Sequence, residues 1–266
     1  MKIPILEKIM FDEPSTWVTA TTIVTLISTV YLGFAELIGN HLQYSKFASS
    51  GNKPLAKQGV KILSRTGMLI FYTPAFLAGL VSFFVLPGGD LRFVLLKFAV
   101  TFHFFKRDLE VLFVHKYSGG MILGSVILIT GFYFSAAAGL IGVQYLTLGL
   151  PEPSIDLKYI GLIIYIVGII GNFYHHSLLS KLRNDNDKGY KIPQGGLFGL
   201  VICPHYLFEI LIFVGFSFIS QTPLAFACTF GDSLYLIARS YETRKWYVNK
   251  FEDFPKHTKC VIPYVF

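Results

Sequence analysis

Seven stretches of this chain, each 15 to 24 residues long, are almost continuously apolar: residues 17–37, 66–86, 91–114, 121–143, 159–173, 206–220 and 223–237. About 20 such residues make a helix long enough to cross the hydrocarbon of a bilayer. No water is available there to satisfy backbone N–H and C=O groups, so each run must close its own hydrogen bonds as an α-helix. The expected fold is therefore an all-α, polytopic membrane protein with about seven transmembrane helices, the last three extending into flanking polar sequence. Composition agrees, because only 15% of residues are charged and 53% are hydrophobic, against about 25% charge in soluble domains.

The basic residues give the chain an orientation. Five lie between Lys46 and Arg65, three between Lys106 and Lys116, four between Lys181 and Lys191 and six between Arg239 and Lys259, eighteen of the 23 present. These segments alternate with charge-poor turns such as Pro87-Gly88-Gly89-Asp90 and Gln221-Thr222-Pro223. Lys and Arg concentrate in cytosolic loops, so the C-terminus is expected in the cytosol and the N-terminus outside it. The formal charge of +7 then reflects topology and anionic partners, not nucleic-acid binding. Residues 1–15 carry Lys2, Glu7, Lys8, Asp12 and Glu13 ahead of the first apolar run, which is unlike a cleaved signal peptide. Cys203, Cys228 and Cys260 are an odd set beside apolar sequence and suggest no disulfide framework.

Ionisable groups within apolar runs are costly and need a partner, a ligand or a water path. Glu209 lies three residues into such a run, with His205 one helical turn before it. Glu36 and Asp232 read as structurally paired residues. His103, Arg107 and Glu110 share one helical face at i, i+4 and i+7 and suggest a polar pocket near the interface. Asn172, His176 and Arg183 also align along a helix, as a grip for a phosphate-bearing ligand or as the wet face of an emerging helix. His175-His176 is too few ligands for a histidine-bound iron, and no metal is expected. Glycine-rich dinucleotide fingerprints and P-loops are lacking, so a nucleotide would need a different kind of site.

Three further patterns are specific. They are Asn172-x10-Arg183, then Tyr190-Lys191-Ile192-Pro193-Gln194-Gly195-Gly196-Leu197-Phe198, then Cys203-Pro204-His205-Tyr206-x2-Glu209. With Tyr247-x3-Phe251-Glu252-Asp253-Phe254-Pro255-Lys256 and the ending Ile262-Pro263-Tyr264-Val265-Phe266, they closely resemble the C-terminal domain of steroid 5α-reductases. Lys106-Arg107-x2-Glu110 through His115 is similar to the enoyl-CoA reductase branch, and Tyr44-Ser45-Lys46 to a Tyr-Gly-Lys of the steroid branch.

The resemblance implies an NADPH-dependent oxidoreductase acting on CH–CH groups, multi-pass in the endoplasmic reticulum membrane. A 3-oxo-Δ4 steroid or sterol enone is the favoured substrate, polyprenol or enoyl-CoA reduction the alternative, and a catalytically inactive lipid-binding member the contrasting reading. By position it implies cofactor contacts from Tyr44, Asn172, His176, Arg183, Tyr190, His205, Glu209, Arg239 and Tyr247. It also implies one integrated membrane domain, with residues 1–115 on the lipid-substrate side and 116–266 on the NADPH side. The family's catalytic Glu and Tyr fall at Tyr72 and Phe104. Phe104 cannot donate a proton, so Tyr72 or His103 takes that part, or the substrate is not a 3-oxosteroid.

Overall fold

The computed structural model describes residues 6–47, 59–117, 119–182 and 189–266. After a short turn, α1 (Leu6–Ile9), come seven long helices: α2 (Thr16–Leu37), α3 (Ser64–Val85), α4 (Leu91–Leu109), α5 (Leu123–Leu146), α6 (Lys158–Lys181), α7 (Pro204–Ser220) and α8 (Pro223–Lys250). Each coincides with one of the apolar runs. Among the described residues, α2, α3, α5 and α6 are long and apolar enough to cross a membrane, α7 is apolar but shorter, and α4 and α8 carry more charge. Outward-facing Trp17, Phe84, Ile163 and Ile170 are largely exposed, which suits a hydrocarbon surround. The chain is an all-α polytopic membrane protein.

Local sequence sets the ends of these helices. Ser15, Asp90 and Thr222 accept hydrogen bonds from the first-turn amides of Val18, Phe93 and Ala225, and Pro204 and Pro223 occupy first-turn positions where no N–H is needed. Pro74 lies inside α3, where it cannot donate to the carbonyl of Ile70. The hydroxyl of Thr130 on α5 supplies that bond at 3.1 Å. The antiparallel pair of three-residue strands, β1 (Lys61–Leu63) and β2 (Gly120–Ile122), leads into α3 and α5.

Two helix pairs dominate the packing, α6 with α7 and α2 with α8. At Gly168 a Cβ would lie 2.8 Å from the backbone nitrogen of Ile212 and 2.9 Å from the carbonyl of Phe208, so α6 and α7 meet backbone to backbone. At Gly231 a Cβ would lie 1.9 Å from Thr29 Oγ1, so α8 there packs its backbone against the Thr29 side chain of α2.

The two ends differ in character. At one, Arg92 is buried among Glu152, Asp156, the side chain of Gln221 and the carbonyl of Ile219. Gln221, at φ 53°, also bonds Ile9, Ile155 and Leu157. At the other end gather the described parts of the four basic segments: Arg65 donates to Leu112, Arg107 meets His176, and Lys46 lies over Trp246 and Tyr247. The tail after α8 folds back there, with Ile202 and Cys203 donating to Lys259 and Cys260.

Candidate functional site

A polar cluster forms where α4 leaves its regular winding. Residues 110–114 take a π-helical turn, a local widening often found at functional sites, and Lys106, Arg107 and Glu110 all point into the protein. Glu110 receives Lys106 at 3.0 Å, Arg107 at 2.6 Å and His176 at 3.1 Å. Lys106 also donates to Asn172 Oδ1, whose Nδ2 in turn donates to Glu209 at 2.9 Å and to the carbonyl of His205 at 3.0 Å. One network thus joins α4, α6 and α7.

This network borders an inner cavity of about 220 Å³. Tyr44, Tyr72, Asn172, His176, His205, Glu209 and Arg239 reach its wall. An outer cavity of about 210 Å³ takes Tyr190, Lys191 and Tyr247 with Lys46 and Lys116, and shares His115, His205 and Tyr206 with the inner one. All the described residues expected to touch a cofactor therefore line one or other of two cavities that share wall residues. Arg183 lies outside the described residues.

The two candidates for proton donation separate. Tyr72 lines the inner cavity, and its phenol oxygen accepts a hydrogen bond from Arg107 Nη2 at 2.7 Å. His103 does not reach the wall. It is fully buried against Phe104, Phe213 and Phe216, with Nε2 3.4 Å from Glu209 Oε1. Phe104 packs on Tyr133 and is also withdrawn.

Arg239 has partners within the protein that its sequence position did not suggest. It pairs with Glu36 at 2.6 Å, donates to the carbonyls of Leu42 and Tyr44, and lies under the rings of Tyr44 and Phe47. Its planar fork orients the segment after α2, so phosphate binding is no longer its evident use. Glu36 is thereby paired as expected. Asp232 is not: among the described residues it makes no hydrogen bond or ion pair.

Tyr133 and Tyr235 were not singled out by sequence, yet with Tyr44 they separate the inner cavity from a smaller apolar chamber of about 50 Å³ between α2, α5 and α8. Thr29, Leu32, Leu42, Leu128, Ile129 and Phe132 line it. A crevice along α2 and α5, which scarcely touch, shares Thr29 and Phe132 with this chamber. Residues 1–115 and 116–266 each contribute to both the polar cavities and the apolar chamber.

Glu110, His115 and His176 bring possible metal ligands within 4.8 Å of one another. Lys106 and Arg107 already place two positive charges on Glu110, which opposes a cation there. Burial, with the nearby charges of His176 and Arg107, holds the His115 imidazole down at about 2. Burial likewise pushes the Cys203 thiol up to about 12, so it offers no thiolate.

Residues 123–266 match the family described as 3-oxo-5-alpha-steroid 4-dehydrogenase. The chain belongs to that family. A relative named steroid 5-alpha-reductase DET2, from Gossypium hirsutum, is 39% identical over 107 residues, covering 40% of this chain and 42% of its own. The 3-oxo-5-alpha-steroid 4-dehydrogenase 2 of Sus scrofa is 29% identical over 251 residues, 90% of this chain and 92% of its own. The human 3-oxo-5-alpha-steroid 4-dehydrogenase 1 is 36% identical over 107 residues, 40% of this chain and 41% of its own. The cotton and human matches thus span less than half of those relatives, while the pig match spans nearly all of it.

Proposed function

We propose that the chain is a membrane reductase that uses NADPH to saturate the double bond of a 3-oxo-Δ4 steroid or sterol enone. The observation that carries this reading is the junction at Tyr44, Tyr133 and Tyr235, where a polar cavity meets an apolar chamber. A polar dinucleotide and a lipid could meet there.

The residues fit the cofactor. His205 Nδ1 is buried without a hydrogen-bond partner on a side chain that borders both polar cavities, so it offers a group to an incoming polar ligand. Asn172, His176 and Glu209 would hold the nicotinamide end, and Lys46, Lys116, Lys191, Tyr190 and Tyr247 the phosphate end. When bound, the reduced nicotinamide would supply hydride to the β-carbon of an enone, and the α-carbon would take its proton from water.

The protein's part is electrostatic. The phenol of Tyr72 donates a hydrogen bond to the enone oxygen and stabilises the negative charge that develops on it. Arg107, already donating to the same phenol oxygen, strengthens that donor. His103, whose Nε2 lies 3.4 Å from Glu209 Oε1, sits behind Glu209 and is a positioning residue. Helices and aromatic walls exclude water, and the crevice between α2 and α5 gives lipid a sideways route.

The family relationship supports this chemistry, since the relatives above are named for steroid reduction. The basic end faces the cytosol in this reading, which places the C-terminus there in an endoplasmic reticulum membrane. The test is purified protein with NADPH and a 3-oxo-Δ4 steroid, read by cofactor oxidation and product mass. The expected product is heavier by two hydrogens. Oxidation with enoyl-CoA or polyprenol alone would replace the substrate, and none with any lipid would leave a binding protein.

A further inference from the structure

The proposed reaction makes no use of Asp232. This carboxyl group sits on α8 in the wall of the apolar chamber, 6% exposed, and its Oδ2 has no hydrogen-bond partner. Three of the other polar groups of that wall have internal outlets. Thr29 donates to the carbonyl of Thr25 at 2.8 Å, and the hydroxyls of Tyr44 and Tyr235 bond each other at 3.2 Å. Asp232 alone among these is left unsatisfied, in a place where an unpaired carboxyl is costly.

The backbone holds it there. A Cβ at Gly231 would stand 1.9 Å from Thr29 Oγ1, so α8 is pressed against α2 at this turn. Rotation of α8 to turn Asp232 toward the surroundings would break that contact. Among the described residues the pairing expected of an intramembrane acid is not found, which leaves a ligand as the partner.

We infer that Asp232 is a specificity residue that hydrogen-bonds a hydroxyl on the lipid substrate, at the end remote from the enone. The inference rests on reading this chamber as the lipid site. A lipid whose enone reaches Tyr72 across the Tyr44, Tyr133 and Tyr235 boundary leaves its far end in the chamber with Asp232. A hydroxyl suits this place because it both donates and accepts, and so pairs with a carboxyl group in either protonation state. A hydrocarbon end would leave Asp232 unpaired, and a site built around a substrate hydroxyl discriminates strongly against the analogue lacking it.

The test compares a 3-oxo-Δ4 steroid carrying a ring-D hydroxyl with its ring-D deoxy analogue, on full-length protein and on Asp232→Leu and Asp232→Asn. Both retention of the radiolabelled steroid and kcat/KM are measured. Wild type should favour the hydroxysteroid by roughly 10- to 100-fold, the range expected for one hydrogen bond to a buried charged or polar group. Asp232→Leu should erase that preference while still turning over the deoxy analogue, and Asp232→Asn should keep most of it. Equal retention of both steroids by wild type, or a parallel fall in kcat for both in Asp232→Asn and Asp232→Leu, overturns the inference. The readouts separate the two claims. Hydroxyl-dependent retention without NADPH oxidation would defeat the proposed reaction and leave the assignment of Asp232 standing.

Discussion

The Nη2 of Arg107 donates to the phenol oxygen of Tyr72 at 2.7 Å, while its Nη1 lies 2.6 Å from Glu110. The guanidinium therefore connects the carboxylate that anchors the polar network to the phenol on the cavity wall. A phenol already accepting from a fixed cation keeps its own proton free to point at a substrate oxygen.

Tyr72→Phe should lower turnover by roughly 10² to 10³, the usual effect of losing one donor to a developing oxyanion, with NADPH affinity nearly unchanged. Full activity in Tyr72→Phe would sink the assignment. His103→Gln should mainly weaken NADPH binding through Glu209, because His103 does not reach the cavity. Steady-state rates and NADPH titration on both variants separate donor from positioning residue.

Arg239→Ala should destabilise the protein by less than the roughly 3 to 5 kcal/mol of a fully uncompensated buried charge, since His41 Nδ1 also lies 2.9 Å from the same Glu36 oxygen. The charge left behind is Glu36, itself 1% exposed. Adding Glu36→Gln to Arg239→Ala should recover part of the loss. Thermal unfolding in detergent reads both, and equal midpoints for wild type and Arg239→Ala would remove the pair from the fold's support.

The seven helices were legible in sequence because a bilayer leaves the backbone one local solution, and periodicity alone aligned Arg107 with Glu110 and Asn172 with His176. What could not be read depends on contacts between distant segments. Tyr133 and Tyr235 are two aromatics in aromatic-rich runs until the tertiary fold sets them beside Tyr44. His103 shares a helical face with Arg107, but one turn deeper it meets the rings of Phe213 and Phe216 rather than the cavity. The partner of Arg239 is Glu36, 203 positions away, and no local spacing signals it.

Gly168→Ala should cost about 1 to 3 kcal/mol, the usual penalty for forcing an extra carbon into a packed interior. Two of the atoms in its way, the nitrogen of Ile212 and the carbonyl oxygen of Phe208, are backbone atoms of α7 and cannot rotate aside. Gly142→Ala on α5 is the control, since nothing lies within 4 Å of the added carbon. That variant should be neutral or stabilised by its better helix propensity. Similar unfolding midpoints for the two variants would contradict backbone packing of α6 on α7.

Lowering the pH should weaken the fold through His115. Its imidazole is held at about 2 in the folded protein, against about 6.5 when unfolded. Between those values the unfolded chain binds the extra proton, so unfolding becomes easier as pH falls below about 6.5. Above about 6.5 neither state is protonated and His115 contributes no pH dependence. The cause is spatial: the ring is 4.8 Å from that of His176 and 5.6 Å from that of Tyr117, beside the cations of the polar network. His115→Gln removes this titration and keeps a polar side chain. The difference in unfolding midpoint between wild type and His115→Gln, followed from pH 7.5 to 5, should move in favour of the variant as pH drops. A constant difference across that range would mean that His115 is solvated and titrates as it does in the unfolded chain.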